Sequence, residues 1–217
     1  HPDSTYELAT GECVKSVAVI DYGIGNVNSV RNMLKKVGIR AAASGDPAEL
    51  DSADALILPG VGAFGSGMSA LHEHGLVDFV REYADSGRML VGICLGMQLL
   101  GGQSEEAPME GLGLIDARFK KFDRHVEGAS LKVPHMGWNE VRPAQDSGLL
   151  SDLESGTRFY FVHSYFATDV PPEQVVLTAR YGDDFVAAYA RDNVIGFQFH
   201  PEKSHRFGIR LFESLFV

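Results

Sequence analysis

At 217 residues the chain is long enough to bury a sizeable core, and it reads as one α/β domain over residues 16–217 preceded by an extension over residues 1–15. Its 19 Lys+Arg against 29 Asp+Glu give a formal charge of −10 with no basic run, which argues against a phosphate-tracking nucleic-acid binder and favours small-molecule or protein partners. The apolar runs are short and interrupted, so neither a membrane span nor a signal sequence is expected, and the two cysteines, Cys13 and Cys94, lack the spacing of a disulfide framework or zinc site; a cytoplasmic location is expected.

Residues 1–15 mix polar side chains without period and read as a flexible extension. Residues 16–20 form a β-branched run that ends in the glycine turn Asp21-Tyr22-Gly23-Ile24-Gly25-Asn26. A helix follows, with Val27, Val30, Leu34 and Val37 at three- and four-residue steps and Gly38 closing it. The turn has neither the third glycine of a dinucleotide fingerprint nor a Gly-Lys-Ser/Thr ending, so it is not a nucleotide loop. Residues 40–43 read as a weak strand, Asp46-Pro47 opens a short helix, and Ala55–Leu58 is a buried strand ended by Pro59. The glycines of Pro59-Gly60-Val61-Gly62 either form an ordinary turn or leave amides uncovered at a strand's carboxyl end, where open α/β sheets bind ligands. Residues 68–74 and 76–84 are two helical pieces split by Gly75. Alternating β and α segments imply an open, mainly parallel central sheet with helices on both faces.

The apolar run Met89–Ile93 joins the helix-forming Leu95–Leu100 through Gly92-Ile93-Cys94-Leu95-Gly96, which has the form of a nucleophile elbow with sulfur at its tip. A helix N-terminus favours a thiolate there, and the amide of Leu95 is free to donate to an oxyanion. A buried structural cysteine fits the same residues. After Gly101-Gly102 the texture changes to hairpins: residues 103–109 are polar and contain Pro108, and 112–122 and 132–141 read as strands separated by 123–130. Further strands are expected at 158–162, Val175–Tyr181, 185–190 and 194–199, and a closing amphipathic helix at 204–216. Near the end, Phe199-His200-Pro201-Glu202 puts a histidine and a carboxylate two residues apart, on one side of an extended segment. A thiol nucleophile needs a base, and the base needs a partner that fixes its tautomer, which His200 and Glu202 supply. The other reading has His200 capping the strand and Glu202 in solvent.

Gly92-Ile93-Cys94-Leu95-Gly96-Met97-Gln98 together with His200-Pro201-Glu202 resembles the class I, or triad, glutamine amidotransferases. Within that family, the turn at residues 21–26, Pro59-Gly60-Val61-Gly62, Pro134-His135-Met136-Gly137-Trp138-Asn139, residues 160–165 and His200-Pro201-Glu202-Lys203-Ser204 are similar to the glutaminase subunits of imidazole glycerol phosphate synthases. The resemblance implies a flavodoxin-like core and hydrolysis of L-glutamine to glutamate and ammonia, with Cys94 as nucleophile, His200 as base then acid, and Glu202 as its orienting partner. It also implies an oxyanion hole from the amide of Leu95 and one within Gly60, Val61 and Gly62, and a glutamine site helped by Gln98, His163, Ser164 and Tyr165. No metal or organic cofactor is implied. The implied partner is a HisF-type (β/α)₈ cyclase subunit, which takes the ammonia within a heterodimer in histidine biosynthesis, with Asn26, Trp138 and Lys203 expected at the junction. The competing readings are a glutaminase serving anthranilate, pyridoxal phosphate or GMP synthesis, a triad cysteine hydrolase, and a scaffold that only binds its partner.

Overall fold

The computed structural model describes Val14 and residues 16–126, 129–144, 150 and 153–217. The extension expected over residues 1–15 therefore lies outside the described residues except for Val14, which is partly buried against the core. Strands β1 (Val17–Ile20), β2 (Ala42–Ser44), β3 (Ala55–Leu58) and β4 (Met89–Ile93) pair in parallel in the order β2-β1-β3-β4, and the late strand Val194–Phe197 joins in parallel beside β4. Every residue of β1, β3 and β4 is buried. Alternate residues supply two separate cores: Val17, Val19, Ile57, Val91 and Ile195 face one, and Ala18, Ile20, Leu56, Leu58 and Leu90 face the other. Such continuous apolar strands are stable only where both faces are covered.

The first face is covered by α1 (Val27–Lys36) and α6 (His205–Phe216). The second is covered by α2 (Pro47–Leu50), α3 (Phe64–Glu73), α4 (Leu76–Asp85) and α5 (Leu95–Leu100). Local chemistry sets the ends of these helices. Asn26 caps α1 by accepting from Ser29 N at 3.1 Å, and Asp46 caps α2 by accepting from Ala48 N at 2.9 Å with Pro47 in the first turn. Gly75, at φ +65°, separates α3 from α4. None of the described helices is long and apolar enough to cross a membrane.

Beyond Val194–Phe197 the sheet continues through Asp183–Arg191 and Tyr165–Thr168, both antiparallel to their predecessors, to Arg118–Lys121, Gln103–Ser104 and Ala107–Glu110. A second arm runs from Asp183–Arg191 through Val175–Tyr181 and His135–Pro143 to Arg158–His163. The hairpin-rich second half is thus present, with two corrections. The strand expected at 112–122 is confined to Arg118–Lys121. Leu112, Ile115 and Ala117 are buried as their apolarity requires, but the backbone at 112–115 donates to the terminal carbonyls of α5, with Leu112 N to Leu99 O at 2.8 Å and Leu114 N to Leu100 O at 2.9 Å. Conversely, the polar stretch at 103–109 forms a hairpin because Ala107 and Met109 have α3 to pack against.

β3 and α5 approach closely at Gly96. A Cβ at Gly96 would lie 1.8 Å from the carbonyl oxygen of Leu58, an atom of buried backbone that cannot move aside. We expect Gly96→Ala to cost about 3 kcal/mol or more, read as a fall of roughly 6–12 °C in the thermal midpoint. Gly102→Ala, whose added Cβ meets nothing closer than 3.7 Å, is the control and should melt close to the parent.

Candidate active site

The carboxyl ends of β1, β3, β4 and Val194–Phe197 lie side by side, and the loops that leave them build the site. β4 runs into Cys94, whose backbone at φ +53°, ψ −109° turns at once into α5. Such a turn requires close packing of the flanking glycines: a Cβ at Gly92 would come within 2.7 Å of the Gly96 backbone. Cys94 N donates to Phe197 O at 2.7 Å, which ties the two strand ends together and sets the thiol beside residues 198–200. Cys94 is a free thiol, 6% exposed. Its Sγ lies 3.8 Å from Val162 O, and Gln198 Nε2 donates to it at 3.9 Å.

His200 N donates to Tyr160 O at 2.9 Å, which ends the extended run. The expectation that His200 and Glu202 share one side of a strand is corrected here, because Pro201–Lys203 is a 3₁₀ turn. That turn folds the carboxylate back, so that Glu202 Oε1 sits 2.7 Å from His200 Nδ1 with both side chains almost wholly buried. Ser204 locks the turn: its hydroxyl donates to His200 O at 2.6 Å and accepts from Tyr160 N at 3.0 Å. Burial by itself would push the His200 pKa down, but the Cys94 sulfur and the Glu202 carboxylate outweigh it and lift the ring to about 10. The buried Nε2 makes no conventional hydrogen bond among the described residues.

Cys94 and His200 open on a cleft of about 270 Å³, and Val61, Gly62, Leu95, Gln98, His163, Ser164 and Tyr165 line it with them. Gly60 is not in the lining. It is wedged where a Cβ would lie 2.8 Å from both Leu95 Cβ and the Tyr22 hydroxyl, and its carbonyl accepts from Leu95 N at 3.3 Å. The amide expected to be free is therefore occupied. Gln98 Nε2 donates to Gln198 Oε1 at 3.2 Å and lies 3.5 Å from Tyr165 O. Both ring nitrogens of His163 are engaged inside the protein, Nδ1 on Tyr165 O at 2.7 Å and Nε2 on His135 Nδ1 at 2.9 Å.

Sequence reasoning missed three lining residues: Glu106, Pro134 and Val162. Glu106 sits between the short strands of the 103–110 hairpin, and its Oε2 accepts from Phe64 N at 2.8 Å, at the start of α3. No periodicity marks it, since only the folding of that hairpin onto α3 brings the side chain to the cleft wall. The three residues expected at a partner junction are all exposed near the carboxyl-end rim. Asn26 begins α1, which packs on the Pro201–Lys203 turn. Trp138 is 45% exposed beside Met136 at 61%, and it stacks on His205 with ring centres 5.7 Å apart.

Residues 18–216 match the family glutamine amidotransferase class-I. Among relatives, the imidazole glycerol phosphate synthase subunit HisH 2 of Pseudomonas aeruginosa is 50% identical over 91% of this chain and 97% of its own. The subunit HisH 2 of Methanococcus maripaludis is 45% identical over the same shares, and the subunit HisH of Syntrophotalea carbinolica is 44% identical over 91% and 98%. Among solved structures, that of PurLQS from Thermotoga maritima contains a chain alike at a TM-score of 0.71 and 21% identity, over 93% of this chain and 97% of that one. A crystal structure of glutamine amidotransferase is alike at 0.66 and 22%, over 90% and 98%; both likenesses concern the fold. The chain belongs to the class I glutamine amidotransferase family and, within it, to the HisH subunits of imidazole glycerol phosphate synthase.

Proposed function

We propose that this chain hydrolyses L-glutamine with a Cys94-His200-Glu202 triad and delivers the ammonia to a HisF-type cyclase subunit, which consumes it in forming imidazole glycerol phosphate. The observation that carries the reading is the convergence, at one cleft, of an elbow thiol, a histidine beside it and a buried carboxylate 2.7 Å from that histidine's far nitrogen. The charged His200 ring holds the thiol's proton on Nε2, and Sγ attacks the δ-carbonyl carbon of glutamine as a thiolate. The tetrahedral intermediate collapses as the imidazolium protonates the departing nitrogen, so that ammonia leaves and a γ-glutamyl thioester remains. Water, activated by the now neutral ring, then releases glutamate. Glu202 holds the ring with Nε2 towards sulfur and stabilises its charged form. Glu106, an acidic group in the cleft wall, supplies the counter-charge for the substrate's α-ammonium group.

The resting arrangement has no complete oxyanion hole, since Leu95 N–H is bonded to Gly60 O. Rotation of the Gly60–Val61 peptide would withdraw that carbonyl and turn Val61 N–H towards the developing oxyanion, next to a freed Leu95 N–H. Docking of the cyclase on the neighbouring rim is the event that favours the rotated state. The exposed aromatic Trp138, with Asn26 and Lys203 on the same rim, is the anchor this docking uses.

Three outcomes follow from this reading. Cys94→Ala should abolish glutamine-dependent synthesis by the complex while synthesis with added ammonium continues at the parent rate; loss of both would separate this chain from the ammonia-producing role. The isolated chain should turn glutamine over about tenfold more slowly than the complex with cyclase and its nucleotide substrate, the shift that a loop bias of about 1.4 kcal/mol gives. Equal rates would remove the gate. Trp138→Ala should weaken association with the cyclase by about 2 kcal/mol, roughly thirtyfold by titration calorimetry, with the free chain's melting unchanged.

A further inference from the structure

Two buried histidines, His135 at 4% and His163 at 5% exposed, form a hydrogen-bonded pair that the triad does not use. The pair has one consistent proton assignment, because backbone carbonyls, which only accept, anchor both ends of its chain. At one end His163 Nδ1 is 2.7 Å from Tyr165 O, so Nδ1 carries the proton and, in a neutral ring, Nε2 is bare. His135 Nδ1, 2.9 Å from that Nε2, must then be the donor, which leaves His135 Nε2 as an acceptor. At the other end Asn139 Nδ2 is fixed as an amino group by Arg180 O at 2.9 Å, and its second hydrogen points to His135 Nε2 at 3.3 Å. Every donor in the line points towards the cleft.

The surroundings keep both rings neutral. His135 is stacked on Tyr181 and Phe161 at ring-centre distances of 4.1 and 4.9 Å, with Phe122 and Phe185 at their edges. Burial depresses His135 to a pKa of about 4 and His163 to about 3. His163 itself spends no nitrogen on the cleft it lines; what it holds is the carbonyl of Tyr165, in the segment that supplies Ser164 and Tyr165 to the wall.

We propose that His135, which lies outside the cleft, is a positioning residue for the substrate wall: its Nδ1–H fixes His163 as the Nδ1–H tautomer, and His163 in turn pins the Tyr165 carbonyl and the Ser164–Tyr165 segment. The assignment of glutamine as the ligand rests on the glutaminase reading; the tautomer does not. In asparagine the side-chain nitrogen occupies the place of imidazole Nδ1, so His135→Asn keeps the donor to His163, whereas His135→Leu keeps the volume and loses it.

The test uses the full chain labelled with ¹⁵N-histidine, alone for long-range ¹H–¹⁵N spectra and with the cyclase for glutamine kinetics. The His163 signals are identified by their loss in His163→Gln. We expect His163 as the neutral Nδ1–H tautomer in the parent and in His135→Asn, and a switch to Nε2–H or a mixture in His135→Leu. The KM for glutamine should rise about tenfold in His135→Leu, the scale of one lost buried hydrogen bond, with a smaller change in kcat, and His135→Asn should recover it to within about threefold. An Nε2–H tautomer of His163 in the parent would overturn the proposal, as would either an Nδ1–H tautomer kept in His135→Leu or an unchanged KM in that variant. A parent complex that does not consume glutamine at all would instead overturn the glutaminase reading, with the tautomer spectra still deciding the proton assignment.

Discussion

The strand-to-helix turn at Cys94 is the constraint from which the rest of the site follows. A non-glycine residue at φ +53° is strained by on the order of 1–2 kcal/mol, and it persists only where its surroundings over-determine it. Here they do so through close backbone contacts: Gly96 against Leu58 O, Gly92 against Gly96, and Cys94 N on Phe197 O. The first two contacts require glycine, and the third requires the strand Val194–Phe197 to lie next to β4. That adjacency is the step that carries residues from the far end of the chain to the thiol. The strain, the glycines and the strand order are therefore one arrangement, and loosening any of them would release the sulfur from the histidine.

The electrostatics depend on the same packing. A buried carboxylate is costly unless paired, and Glu202 is paired with His200 while its second oxygen has no hydrogen-bond partner among the described residues. The ring gains proton affinity from the carboxylate on one side and the sulfur on the other, enough to overcome its own desolvation. His163, close enough to act on His200 electrostatically, is driven the opposite way by burial, to which the neighbouring His135 and His200 imidazoles add. Two histidines in one pocket thus hold opposite protonation preferences, and the difference comes from what each nitrogen touches, since both rings are buried.

What the sequence made legible was whatever depends on short range. The strands β3 and β4, the helix start at Asp46-Pro47, the break at Gly75 and the elbow itself are all written in windows of a few residues, where apolar period and glycine placement decide the backbone. The residues of the His200 turn were legible as a pair, but its geometry was not: proline at 201 starts a 3₁₀ turn, and a strand rule gave the right proximity by the wrong conformation. Residues 112–117 misled because apolarity reports burial and not backbone pairing. Glu106 and the contact of Gln198 with sulfur escaped because they join residues 42 and 104 positions from their partners Phe64 and Cys94. The direction of the His135–His163 line could not be read either, since it is fixed only by carbonyls of Tyr165 and Arg180 brought in by the hairpins.

The occupied amide of Leu95 shows why a glutaminase of this build would rest inactive at little energetic cost. A hydrogen bond of this kind contributes net only about 0.5–1.5 kcal/mol, so it biases the loop without freezing it. Gly60 cannot move away as a body, because Tyr22, Leu95 and Gly25 enclose it on three sides, the last so near that a Cβ built on Gly25 would lie 3.1 Å from the Gly60 nitrogen. Rotation of the peptide that follows it is the motion left open, and Val61 on its far side is exposed enough to swing. A preference of about 1.4 kcal/mol for the rotated peptide, supplied by contacts on the adjacent rim, shifts such a balance tenfold. On the proposed reading, the close packing that holds the thiol in its strained turn and the weak bond that blocks the neighbouring amide are complementary: the first would keep the nucleophile ready, and the second would leave the oxyanion hole to be completed by a partner on the rim.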